Sequence, residues 1–183
     1  MSEYYLVSQL PSLDGLGENV PLPITEEYFI ELCQRFLGEK AWEKMKNITL
    51  IPPKNGTSTG SVLIDSWFSS EKLLRIALAN VRAQRLKKSF DVGSVAIPPE
   101  YVKAAAVAIE AENPLEAEEY LNSFRFSILE GLRPSDIFSK EYIFYYAIKL
   151  KLLSRLRCFD KNAGEKAYKK IYSSVIDRGI TEA

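Results

Sequence analysis

Val62-Leu63-Ile64-Asp65-Ser66-Trp67-Phe68-Ser69-Ser70-Glu71-Lys72-Leu73-Leu74-Arg75-Ile76-Ala77-Leu78-Ala79-Asn80-Val81-Arg82-Ala83-Gln84-Arg85-Leu86-Lys87-Lys88 decides the fold class. Its apolar residues recur at helical spacing. The stretch reads as one long helix, roughly 40 Å at 1.5 Å per residue. Ile64, Trp67, Phe68, Leu74, Leu78 and Val81 form one apolar stripe. Leu73, Ile76, Asn80 and Ala83 form a second, on another side. Two stripes predict a helix packed on two sides in the middle of a bundle. A break at Ser69-Ser70 is the alternative to a continuous rod.

Toward the N-terminus, residues 2–10 read as a strand or a helical turn. Pro11 to Pro23 holds three prolines and two glycines and predicts a loop. Thr25 is placed to cap a helix that carries Glu26 and Glu27 in its first turn. Tyr28, Phe29, Leu32, Cys33 and Phe36 mark its buried face, and Gly38 its end. A short helix over Glu39 to Lys46 follows. Residues 52–61 are the most flexible-looking segment, a loop of Pro, Gly, Ser and Thr. They lack the phosphate-binding pattern, because Gly60 is followed by Ser61 rather than lysine.

Toward the C-terminus, Pro98 and Pro99 open a helix that runs to Glu112. Asn113, Pro114 and Glu116 form the start of another, which reaches Gly131. Ser139 opens a strongly apolar helix through Tyr142, Tyr146, Leu150, Leu153 and Leu156. Asn162 and Glu165 read as the capping box of a last helix ending near Gly179. The expected fold is all-α, an irregular helical bundle of about six helices. It forms a single domain over residues 1–183, with a candidate subdivision at 90–98.

Composition narrows the chemistry. The 183 residues include 24 Lys plus Arg and 24 Asp plus Glu, for a formal net charge of zero. That balance gives no global attraction to nucleic acid or anionic membrane, so no nucleic acid is expected as a partner. Histidine, the commonest proton-transfer side chain and metal ligand, is absent. Cys33 and Cys158 stand far apart with no Cys-x-x-Cys spacing, which predicts reduced core thiols, with a disulfide as the alternative, rather than a metal site. The start has no basic, apolar signal pattern, and no apolar run is long enough to span a bilayer. A cytoplasmic protein follows, not inserted in a membrane.

Four constellations remain. Arg75 and Arg82 are seven residues apart and share a helix face, thickened by Lys72, Arg85, Lys87 and Lys88. This face reads as a docking surface for acidic protein, lipid or RNA, or as an ordinary solvated face near a helix C-terminus. Asn80, beside Leu73, Ile76 and Ala83, reads as a register-setting bridge or as a half-exposed residue. Glu110, Glu112, Glu116, Glu118 and Glu119 supply helix starts and solvated charge, without the ligand spacing of a cation loop. Tyr142, Tyr145 and Tyr146, with Phe138 and Phe144, read as a core helix rather than an interface patch. No catalytic residue, cofactor or metal is expected. Serine nucleophiles lack a histidine base, and an enzyme would need a lysine of depressed pKa in a pocket.

Several segments in order carry a resemblance. They are Tyr4-Tyr5-Leu6-Val7-Ser8-Gln9-Leu10-Pro11, Pro21-Leu22-Pro23-Ile24-Thr25, residues 74–86, Glu112-Asn113-Pro114-Leu115-Glu116-Ala117-Glu118 and residues 145–155. Together they resemble an uncharacterised bacterial family encoded among V-type ATPase genes. That family is distantly similar to the funnel component of the V-type ATPase, an all-helical protein that joins the central rotor stalk to the membrane ring. The funnel component is considerably longer, so this chain corresponds to part of it. The resemblance implies a non-catalytic subunit or accessory protein whose partners are V-type ATPase subunits, in the stalk, the membrane ring or both. The alternatives are a transient assembly factor for that complex and a helical nucleic-acid or lipid binder using the basic helix 72–88. The residues expected to contact a partner are Arg75, Asn80, Arg82 and Arg85.

Overall fold

Polar side chains set the helix starts. Thr25 accepts a hydrogen bond from the backbone N–H of Tyr28 at 3.2 Å, Ser61 from Ile64 at 3.3 Å, Asn113 from Glu116 at 2.9 Å and Ser139 from Tyr142 at 3.1 Å. Each satisfies a donor that the first turn leaves open. The computed structural model describes residues 2–16, 20–54, 56, 58–90, 93, 95–157, 164 and 166–173. Cys158, Asn162, Glu165 and Gly179 lie outside the described residues.

The helices are α1 (Ser2–Gln9), α2 (Glu26–Phe36), α3 (Glu39–Lys46), α4 (Val62–Arg85), α5 (Pro99–Glu110), α6 (Pro114–Gly131) and α7 (Lys140–Arg157). Residues 166–173 form α8. The class is all-α, and the helix number exceeds the expected six. Of the two readings for residues 2–10, the helix is correct. Leu6 is fully buried and roots α1 in the core.

α4 runs unbroken through Ser69 and Ser70. Its first stripe is largely interior, with Ile64, Trp67, Leu74 and Leu78 buried. The second stripe corrects the expectation of two packed sides: Leu73, Ile76, Asn80 and Ala83 are only half-buried. The most enclosed helix is α7, buried continuously from Ile143 to Leu150. Phe144, Tyr145 and Tyr146 belong to the core, as their run predicts, whereas Phe138 is exposed and stacks on Tyr4 at 4.5 Å between ring centroids. Tyr28 also departs from the helical pattern, being 52% exposed beside buried Phe29.

Two apolar clusters form. One joins α1, α2, α3, the first half of α4 and α7, around Phe29, Trp67 and Phe144. The other joins the second half of α4 to α5 and α6 through Leu74, Ala77, Ala104, Ala105 and Leu121. The seam between them crosses the middle of α4. Alanine at 77, 104, 105 and 108 lets the α4 and α5 backbones approach closely.

α7 holds the N-terminal segment down. The Tyr146 hydroxyl donates to the Pro11 carbonyl at 2.9 Å, Lys149 to Asp14 at 2.5 Å and Arg157 Nε to the Val20 carbonyl at 3.0 Å. Glu141 ties α7 to α4. Its Oε2 accepts from the Ser61 hydroxyl at 2.7 Å and from the Leu63 N–H at 3.0 Å. The loop before α4 is anchored at its end. Asp65 accepts from Ser58 Oγ at 2.6 Å and from the Thr59 N–H at 2.8 Å. Gly60 has φ +70, a left-handed conformation that favours glycine.

Candidate docking face

The exposed side of α4 is built by helical spacing. Lys72, Arg75 and Arg82 project from it, and all three are exposed. Arg75 is not free, because its Nε donates to Glu71 Oε1 at 3.1 Å, one turn back. Arg85 spans to α5, where its Nη1 donates to the Ile109 carbonyl at 2.7 Å. Asn80 is half-buried and, two positions from Arg82, points elsewhere. Arg75 and Arg82 share the exposed side of α4, while Arg85 reaches α5 and Asn80 points elsewhere. Arg82 also lines a depression.

That depression has a volume of about 450 Å³. Leu78, Ala108, Ile109, Ala117 and Leu121 line it, with Arg82, Glu112 and Glu118 among its polar residues. Small side chains at Ala108 and Ala117 leave the space open. Its lining mixes apolar side chains with one guanidinium and two carboxylates, and a cavity of this size can seat an apolar side chain of a partner.

Beneath the face runs a chain of alternating charge. Glu71 is buried, 3% exposed. Arg125 grips it with two donors, Nε to Oε2 at 3.0 Å and Nη2 to Oε1 at 3.3 Å. Arg125 Nη1 donates to Asn122 Oδ1 at 3.1 Å and stands 3.7 Å from Glu118. Glu118 in turn accepts from Arg155 Nη2 at 3.1 Å. The chain thus links α4, α6 and α7 where the two apolar clusters meet. Asn122 Nδ2 and Trp67 Nε1 are buried and find no hydrogen-bond partner among the described residues.

Sequence reasoning passed over Glu71 and Arg125, although a signal existed. Glu71 lies between Trp67 and Leu74 on the buried stripe. Arg125 lies between Leu121 and Leu129 at intervals of four. A charge of each sign on an apolar stripe is the pattern of a buried pair.

Other reactive groups are poorly placed for chemistry. Cys33 is buried, and burial pushes its thiol up to about 12. Lys149 is shifted up, not down. Burial opposes its charge, but hydrogen bonds to Asp14, Glu130 and Tyr145 outweigh that. A nucleophilic lysine would need the reverse. Among the described residues no group of three or more acidic or cysteine side chains could hold a metal ion. Among them, too, no helix is long and apolar enough to cross a membrane. No family model, curated protein or solved structure matches the chain.

Proposed function

We propose that the chain is a non-catalytic subunit or accessory protein of a V-type rotary ATPase, docking the central stalk to the membrane ring. The observation that carries the proposal is the Arg82 depression at the end of a braced helical body. The body is stiffened by two packed cores and the buried Glu71–Arg125 pair, and dense helix packing resists deformation. The depression offers a place for a partner's anchor residue. The resemblance supports the choice of complex.

The test is co-purification from a native membrane extract at low salt, with Arg82→Glu as the control variant. ATPase subunits are expected with the parent chain and at least about tenfold less with the variant, the loss typical of a reversed charge at a contact. If ATPase subunits never accompany the parent chain, the proposal fails. Full stoichiometry in the finished enzyme fits a permanent component. Presence only in partial assemblies would replace that reading with an assembly role.

A further inference from the structure

Residues 166–173, Lys-Ala-Tyr-Lys-Lys-Ile-Tyr-Ser, form α8. At 100° per residue, Lys166, Lys169, Lys170 and Ser173 fall within one arc of this helix. Ala167, Tyr168, Ile171 and Tyr172 fall within the opposite arc. A helix of a globular domain turns such an apolar arc toward its core. Here Tyr168 is 67% exposed, Ile171 63% and Tyr172 57%. The two tyrosine rings stack at 5.9 Å with an interplanar angle of 17°, which makes a continuous apolar ledge.

Residues 166–173 carry three lysines, with Glu165 directly before them in the sequence. The whole chain is neutral, so this local positive charge is balanced by a net negative remainder. Attraction of α8 to an anionic surface would therefore be local and would fall off within a Debye length.

We propose that α8 lies flat on an anionic lipid bilayer, tyrosine side down. The arrangement of the two arcs selects a bilayer over an acidic protein. A protein face meeting the tyrosines would leave the lysines on the far side, in solvent. A bilayer engages both, because the helix sinks to a depth where headgroups surround its polar side. Tyrosine suits that depth, having an apolar ring and a polar tip. Lysine stems reach along the apolar zone while their ammonium groups meet phosphates. This contact is separate from the Arg82 depression and does not rest on the ATPase reading.

The full-length chain is sedimented with phosphatidylcholine vesicles, with and without phosphatidylserine. Phosphatidylserine is expected to raise the bound fraction about tenfold, and salt near about 0.5 M to release the chain. Tyr168→Ser with Tyr172→Ser, and Lys169→Glu with Lys170→Glu, should each abolish the gain. These positions are exposed, so thermal melts of both variants should match the parent. Arg75→Glu with Arg82→Glu should still bind vesicles. Failure to bind phosphatidylserine vesicles, or binding that survives both α8 changes, overturns the proposal. So does vesicle-independent self-association that Tyr168→Ser with Tyr172→Ser removes, because the ledge would then belong to a second copy. None of these results bears on ATPase co-purification.

Discussion

At the residue scale, the Glu71–Arg125 pair is the most demanding contact in the molecule. Both side chains are nearly sequestered, at 3% and 8% exposure. Removing one partner strands the other charge, which costs about 3–5 kcal/mol. Arg125→Leu should lower unfolding free energy by about 3 kcal/mol, the low end, because Arg75 still serves Glu71. Glu71→Leu with Arg125→Leu should restore most of it. Urea titration checks both, and a double variant as unstable as the single one would refute the argument. Lys149 supplies a pH effect. Asp14 is held below its ordinary value chiefly by the Lys149 hydrogen bond. Burial raises Glu130, but hydrogen bonds from Lys149 and Tyr145 bring it below its ordinary value. Groups with depressed folded values stabilise above their unfolded values, 3.8 and 4.5, and lose that as pH falls through the lower folded ones. Melts between pH 6 and about pH 3 should therefore show a steeper acid decline for the parent than for Asp14→Asn with Glu130→Gln. Parallel curves would contradict this. Arg75 shows what a linear pattern hides. Its exposure was legible, and its engagement with a buried carboxylate one turn away was not, because sequence spacing does not say which face a neighbouring helix covers.

At the element scale, the caps were the most legible feature. Thr25, Asn113 and Ser139 each act where local chemistry puts them. Such signals depend only on a few adjacent residues, so no tertiary knowledge is needed. Asn113→Ala should cost about 1 kcal/mol and Asn113→Gly only a few tenths, both read by urea unfolding. Equal losses would argue that the side chain does not cap. The second stripe of α4 was misjudged for the opposite reason. Periodicity shows which residues share a side and not how deeply that side is covered. The α4–α5 seam depends on depth, since Ala105 is fully buried between the helices. Ala105→Leu should lower stability by about 1–3 kcal/mol through overpacking. A neutral result in thermal melts would mean that the seam has slack.

At the scale of the whole molecule, the all-α class was legible from periodicity and punctuation alone. The boundary between the two cores was not, because it falls inside a continuous helix with no composition shift to mark it. α4 serves both clusters, and α6 carries Leu121 in one and Leu129 in the other. Neither core can open without disturbing an element of its neighbour. Unfolding followed by tryptophan fluorescence, with Trp67 in the first cluster, should coincide with far-ultraviolet circular dichroism in a single transition. Two separated transitions would show independent halves. The buried pair at the seam has a mechanical corollary. Sliding α6 one turn along α4 would park a guanidinium and a carboxylate opposite hydrocarbon, so this junction has one detent and no ratchet positions. A push on the Arg82 end of the rod would reach the Glu141 clasp undiminished by slip.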